Sequence, residues 1–154
     1  MLKNVTYWFI CFLTMGAITT AWCAEVQDSF EGTWIVDSLE TDGRKAPKAA
    51  IKHLSFRFAG DKLFIKGNFG DEREDESSFV LDQTKEPKHL DFTPPEENKP
   101  ILAIYERKGK TLNICVRHAM NSDKGRPTEF KTTPDSSGLV LIVLSLKEEE
   151  SAQQ

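Results

Sequence analysis

The stretch Phe30-Glu31-Gly32-Thr33-Trp34 decides the fold class of this chain. It follows an apolar N-terminal segment and opens a region rich in strand-forming residues. A Gly-x-Trp on the first strand is a recurring signature of small all-β barrels. The large ring of Trp34 suits the base of such a barrel, and Gly32 lets the neighbouring backbone approach closely. We therefore expect the folded domain to begin here, with Gly32 and Trp34 as structural residues at the barrel base.

The chain before this stretch is predicted to be a targeting segment rather than part of the fold. Residues 1–24 start with a positive charge at Lys3 and continue as a nearly unbroken apolar run with small residues near its end, which is the layout of a secretory signal peptide. Cleavage fits after Ala21, Cys23 or Ala24, and lipid modification of Cys23 is an alternative. The sequence thus predicts an exported protein, either periplasmic or extracellular. It would meet a membrane only through this segment, if the segment is not removed.

Composition places the rest of the chain among small globular domains. The full sequence has 154 residues, so removal of the leader leaves one ordinary domain, predicted over 25–147, and an acidic tail over 148–154. Without Lys3 the chain keeps 19 of its 20 Lys and Arg residues against 24 Asp and Glu, a net charge of −5. This balance offers no electrostatic footprint for nucleic acid or for an anionic membrane surface.

Short strand-like runs separated by turn signals continue to the end of the domain. The one helix-like piece is Ala46–Leu54, where Pro47 suits a first helical turn. The pattern predicts an all-β fold, an antiparallel barrel of about eight to ten strands with one short helix after the first strand. The predicted strands are Thr33–Leu39, Leu54–Phe58, Lys62–Lys66, Ser77–Asp82, Lys88–Thr93, Ile101–Arg107, Thr111–His118, Thr128–Thr132 and Leu139–Leu146.

The last of these runs, Leu139–Leu146, favours closure of the sheet. It is apolar on both faces, and an exposed edge of this kind would be an aggregation hazard. We therefore expect the last strand to pair with the first, so that the barrel has no open edge.

The opening stretch, with Ser38-x-Glu40 and a short helical connection after it, resembles the start of the lipocalin and fatty-acid-binding superfamily. More specifically, the chain resembles an uncharacterised lipocalin-like domain family of exported planctomycete proteins. That resemblance implies a fold and export, and it implies no assigned activity. The motifs that carry it are Gly32-Thr33-Trp34, Asp42-Gly43, Phe58-x-Gly60-Asp61-Lys62, Pro87-Lys88-His89-Leu90-Asp91, Ile104-Tyr105-Glu106, Leu112-x-Ile114-Cys115 and Arg126-Pro127-Thr128-Glu129-Phe130.

One departure from that superfamily bears on the ligand. Fatty-acid-binding proteins hold the lipid carboxylate with an Arg-x-Tyr near the C-terminus. The corresponding region here, 140–147, contains neither arginine nor tyrosine. The sequence therefore offers no evident anchor for a buried fatty-acid carboxylate.

A small apolar ligand inside the barrel is the first functional hypothesis. The same side chains would equally form a solid core, which makes a filled structural or protein-interaction domain the alternative. A cavity of about 300 Å³ or more separates the two hypotheses. The candidate interior residues are Phe56, Phe58, Leu63, Ile65, Phe79, Leu81, Leu90, Phe92, Tyr105, Leu112, Ile114 and Val116.

Other motifs point to structure rather than to chemistry. Arg126, fixed by the following proline, is expected to be a structural clasp at the barrel base that pairs with a carboxylate or with carbonyl oxygens of the first strand, and a polar ligand anchor is the alternative. Either Arg126 or Arg117 is expected to stack on the indole of Trp34. Strand alternation places Cys115 beside Arg117 on one face, as a packed and inert thiol. His118 lies on the opposite face.

Catalytic and metal-binding signals are weak throughout the sequence. The three histidines are scattered, and the acidic run over 71–76 lacks the spacing of a calcium loop. No serine sits in a nucleophile motif. We therefore predict no metal, no cofactor and no catalytic residue, and an enzyme using Cys115 or His118 is the remaining alternative.

Overall fold

The computed structural model describes residues 29–67, 73–97, 99–117, 124–136 and 138–148. Three predicted strands have the expected bounds, five shift by one to three residues at their ends, and the predicted strand Thr128–Thr132 does not form. The elements are β1 (Gly32–Thr41), β2 (Arg44–Lys45), α1 (Lys48–Ile51), β3 (Ser55–Ala59), β4 (Lys62–Lys66), β5 (Glu74–Asp82), β6 (Lys88–Thr93), β7 (Ile101–Lys108), β8 (Thr111–Arg117) and β9 (Leu139–Leu146).

The strands form a closed antiparallel barrel, as predicted. Each strand from β3 to β8 pairs with the next, β1 pairs with β3, and β9 also pairs with β1. Trp34 lies opposite Leu146 on one side of the closure, while Leu144 lies opposite Leu112 on the other. The two-residue β2 pairs only with the end of β1, so that the remaining eight strands form the barrel wall. Closure pairs both sides of the apolar strand β9 and leaves it no free edge.

A β-bulge in β1 keeps the apolar side chains of that strand inside the barrel. The pairing of β1 with β9 shifts between Val36 and Ser38, which leaves Asp37 as the extra residue. Trp34 and Val36 face inward before the bulge, whereas Leu39 faces inward after it. Without the extra residue, strict alternation would turn Leu39 outward.

The helix α1 occupies a gap in the barrel wall. It is shorter than the predicted Ala46–Leu54, with four residues that begin after Pro47 and end at the buried Ile51. The strand β3 starts at Ser55, opposite Ile35, so the later half of β1 has no β3 partner. The helix packs beside that half and inserts Ile51 into the core.

The segment over 124–136, called the strap below, corrects one sequence prediction. Thr128–Thr132 was expected to form a brief strand, but these residues are irregular. The strap runs outside the barrel, where its contacts with the wall are made by individual side chains and main-chain groups rather than by a strand ladder. The β-forming residues of this stretch therefore do not pair as a strand, because the neighbouring strands already pair with each other.

Several predictions lie outside the described residues. These are the signal peptide over 1–24 with its Cys23, the first part of the acidic run over 71–72, His118 and the tail beyond Glu148. Within the described ranges, no helix is long and apolar enough to span a membrane.

Candidate functional site

The barrel interior is divided along its axis into a packed base and an open pocket. The base lies where β1 begins and β9 ends, around the fully buried Trp34. The pocket opens at the other end, where β1 ends and β9 begins. Both readings of the interior made from the sequence, solid core and cavity, therefore apply to different levels of the same barrel.

An aromatic cluster packs the base. Phe30, just before β1, lies with its ring centroid 4.8 Å from that of Tyr105 and 5.1 Å from that of Phe58, both edge to face. Phe79 packs against the ring of Phe58 at 5.2 Å. The indole N–H of Trp34 donates a 2.8 Å hydrogen bond to the carbonyl oxygen of Phe30, so the buried ring has its one donor satisfied. Together these rings fill the base of the barrel, below the residues that line the pocket.

Gly32 lies at the same level. Its φ of +111° is a backbone conformation that other residues rarely adopt, and a Cβ atom there would lie 3.2 Å from Cδ1 of Leu146. The positive φ is therefore what favours glycine here, and the atom near the missing Cβ belongs to a side chain rather than to the neighbouring backbone that was expected.

A cation lies over the Trp34 ring, but it is not one of those predicted. The guanidinium carbon of Arg107 is 5.5 Å from the indole centroid. The same side chain donates hydrogen bonds to the carbonyl oxygens of Gly109 and Ser29. Arg107 thus joins the chain entering the barrel to the turn between β7 and β8, across the base.

The expected stacking of Arg126 or Arg117 on Trp34 is wrong, and so is the placement of Arg126 at the base, although Arg126 does pair with a carboxylate as expected. Arg117 ends β8 at the mouth of the barrel, opposite Leu139 and far along β9 from Leu146. Arg126 belongs to the strap and contacts the outward-facing Asp91 on β6. Arg107 lies at the base because it is next to the turn between β7 and β8, and that turn lies beside the end of β9.

The pocket has a volume of about 810 Å³ and a mainly apolar wall. This volume lies within the range of small-molecule sites, roughly 300–1,000 Å³. Of the candidate interior residues, seven line it: Phe56, Leu63, Ile65, Leu90, Phe92, Ile114 and Val116. The other five belong to the base or pack against the core beside it: Phe58, Phe79, Leu81, Tyr105 and Leu112.

Sequence reasoning missed several residues of the pocket wall. Leu39 was not assigned because the bulge in β1 was not foreseen. Val36 lies two residues after Trp34, and alternation along β1 was the signal that could have found it. Ile142 lies on a strand that is apolar on both faces, so alternation gave no inward face there. Ser77 shares a face with Phe79 and Leu81, and that alternation was the signal that could have found it.

Carboxylates surround the mouth of the pocket. They come from the start of β5 and from the connection between β6 and β7, and Arg117 is the one basic residue among the described lining residues. Two of these carboxylates have cationic partners: Glu74 accepts from Arg57 at 2.9 Å, and Glu76 lies 3.0 Å from Lys62. The balance of charge at the mouth therefore disfavours an anionic ligand.

The strap fixes the outer face of the barrel. Arg126 Nη1 donates a 2.6 Å hydrogen bond to the carbonyl oxygen of Ala103 and lies 2.6 Å from Oδ1 of Asp91. The second contact is an ion pair without hydrogen-bond geometry. At the other end of the strap, the Thr132 hydroxyl accepts a hydrogen bond from the main-chain N–H of Gly43 and donates one to the carboxylate of Glu40. The strap thus reaches from β6 to β1.

Cys115 lies on this outer face and is fully buried. Its surroundings include the main-chain N–H of Lys131, which is in the strap and forms a hydrogen bond to the thiol. Burial raises the pKa of the thiol to about 11, against a smaller opposing effect from Lys131 and Arg117. A thiol with a raised pKa is a poor nucleophile near neutral pH, which agrees with the inert role expected from the sequence.

The remaining acidic residues and histidines do not assemble into a metal site in the parts of the chain that the structure covers. No three His, Cys, Asp or Glu side chains there come together as a metal-binding group. His89 faces outward near Arg126, and burial followed by the charge of Arg126 lowers its pKa.

Comparisons of the chain with protein families, with curated proteins and with solved structures found no match. A function therefore has to be inferred from the barrel and its pocket.

Proposed function

We propose that this protein binds a small, mainly apolar and uncharged molecule in the pocket between the packed base and the mouth of the barrel. The observation that carries the proposal is the pocket of about 810 Å³ above the aromatic base. Side chains such as Leu90 and Ile114 are buried in its wall. Burial of an apolar ligand against such a wall contributes roughly 25 cal/mol per Å² removed from water, before the costs of binding.

The charges at the mouth support an uncharged ligand. A fatty-acid carboxylate at the mouth would meet Glu96 and Glu97, and the basic residue there, Arg117, already donates to the carbonyl oxygens of Gly125 and Ser136. The C-terminal strand offers no alternative anchor, since Leu139–Leu146 contains no basic residue. This arrangement supports a neutral ligand over an anionic one.

We also propose that the domain acts outside the cytoplasm and belongs with the lipocalin-like exported proteins that its motifs resemble. The apolar leader over 1–24 supports export. The N-terminal residue of the protein purified from its natural host tests this. A start at Trp22, Ala24 or Glu25 is expected, and recovery of the protein in the cytoplasmic fraction with Met1 retained would contradict it.

Titration with an uncharged fluorescent probe tests the binding proposal. N-phenyl-1-naphthylamine is expected to show one saturable site per chain with a micromolar dissociation constant. Dodecan-1-ol should displace it at a lower concentration than dodecanoate at pH 8. No saturable binding would contradict the proposal and favour the alternative, a structural or protein-interaction domain.

A further inference from the structure

The pocket wall contains one buried polar side chain, Ser77, among the described residues. It is 4% exposed and lies on the inner face of β5, directly opposite Leu63 on β4. The strand runs from the mouth at Glu74 toward the base at Asp82, so Ser77 lies three residues below the rim. At about 3.3 Å per residue this is about 10 Å along the strand. The charged lining residues lie nearer the mouth.

The surroundings of Ser77 differ from those of the other buried hydroxyl in the described chain. Thr132, 6% exposed, is hydrogen-bonded to Glu40 and to Gly43. The Ser77 hydroxyl has no hydrogen bond to another described residue, and its oxygen is not among the fully enclosed atoms that lack a partner, so it is open to the pocket. A ligand that covers this hydroxyl and excludes water from it leaves it unpaired, at a cost in free energy, unless the ligand supplies an acceptor. The pocket is the space from which that partner can come.

We propose that Ser77 is a polar anchor that determines ligand specificity, donating a hydrogen bond to an oxygen atom of the bound molecule. The ligand is then an uncharged, mostly apolar compound with a carbonyl or ether oxygen that enters the pocket first. Its apolar body packs against side chains such as Leu63 and Leu90, and the end away from the oxygen lies near the mouth. This inference rests on the proposed function and adds the chemical class of the ligand.

A matched pair of small molecules tests the anchor on the full-length protein. 2-Acetylnaphthalene and 2-isopropylnaphthalene have nearly the same shape, and only the first carries a hydrogen-bond acceptor. Their dissociation constants are measured by displacement of N-phenyl-1-naphthylamine. One hydrogen bond to a buried hydroxyl predicts that the ketone binds about 3- to 10-fold more tightly than the hydrocarbon.

Three variants assign this preference to one atom. Ser77→Ala removes the hydroxyl and is expected to abolish the preference while binding of the hydrocarbon is unchanged or tighter. Ser77→Thr keeps a hydroxyl and should keep the preference. Ser78→Ala is the control, because Ser78 is the exposed neighbour on the outer face of the same strand.

The outcomes separate this inference from the proposed function. A ketone preference that disappears only in Ser77→Ala supports the anchor. Equal binding of the two compounds to the unaltered protein, or a preference that survives in Ser77→Ala, overturns the anchor and leaves the apolar pocket intact. Failure of both compounds and of the fluorescent probe to bind overturns the proposed function as well.

Discussion

The indole N–H of Trp34 donates a 2.8 Å hydrogen bond to the carbonyl oxygen of Phe30. This hydrogen bond connects the chain entering the barrel to the first strand. The ring of Phe30 then lies between those of Phe58 and Tyr105. A residue that precedes the first strand thus becomes part of the packed base below the pocket. The Gly-x-Trp motif serves the base of the barrel, and the ligand is expected above it.

Replacement of Phe30 should destabilise the folded protein. Phe30→Ala removes a buried ring and is expected to lower the free energy of unfolding by about 3 kcal/mol. Urea unfolding of a chain that starts at Glu25 measures this, followed by the emission of Trp34, its only tryptophan. The folded emission should be blue-shifted and insensitive to iodide, and Phe30→Ala should shift it to the red.

The matched control for this change is Phe64→Ala. Phe64 lies on the outer side of β4, with the guanidinium of Arg57 3.8 Å above its ring. Its removal is expected to cost about 1 kcal/mol. Equal effects of the two substitutions, or red emission from the unaltered chain, would show that Phe30 and Trp34 are not part of a buried base.

The strap should contribute to stability through Arg126 and Asp91. Their side chains are 19% and 34% exposed, so their coupling is expected to exceed that of a surface pair. A double-mutant cycle with Arg126→Ala and Asp91→Ala should give about 1–2 kcal/mol. The control is Glu106 with Lys108, a pair whose side chains are 40% and 73% exposed, for which about 0.5 kcal/mol is expected.

A coupling for Arg126 and Asp91 no larger than that of the control pair would contradict this account of the strap. The measurement is chemical denaturation of each single and double variant. The relevant quantity is the non-additive part of the change in unfolding free energy.

The raised pKa of Cys115 predicts a dependence of stability on pH. The pKa of the thiol is about 11 in the folded protein against an ordinary value of 9.0, so the folded state favours the protonated form. This contribution is fully present below pH 9 and is lost as the pH rises toward 11, because the unfolded thiol ionises first. The stability of the unaltered protein should therefore fall over pH 9–11 relative to Cys115→Ala.

Thiol labelling provides a second measurement of the same property. At pH 8, a chain that starts at Glu25 should react with Ellman's reagent roughly 100-fold more slowly when folded than in urea, as the thiolate fraction alone requires. Fast labelling of the folded protein, or parallel pH profiles for it and Cys115→Ala, would show that the thiol is accessible and ionisable.

The sequence predicted the barrel well because local signals specify it. Gly60-Asp61 and Gly109-Lys110 mark two hairpins, and the apolar run over Leu139–Leu146 requires partners on both sides. These signals depend on neighbouring residues and on strand alternation. They led to the correct class of fold and to the pairing of the last strand with the first.

The division of the interior could not be predicted in the same way. Phe58 belongs to the packed base and Phe56 to the pocket wall, and this difference depends on how far Phe30 reaches across the barrel. The placement of Arg107 rather than Arg126 over Trp34 likewise depends on which strand ends meet at the base. Such contacts join residues far apart in the chain, and alternation within one strand carries no information about them.

The most direct test of the pocket is to place the same bulky side chain inside and outside the barrel. Val116 lines the pocket, whereas Val80 is 69% exposed on the outer face of β5. In the titration with N-phenyl-1-naphthylamine, Val116→Trp is expected to weaken binding at least about tenfold, equivalent to about 1.4 kcal/mol, and Val80→Trp should leave it unchanged. Unchanged binding in Val116→Trp, or equal losses in both variants, would contradict a ligand site inside the barrel.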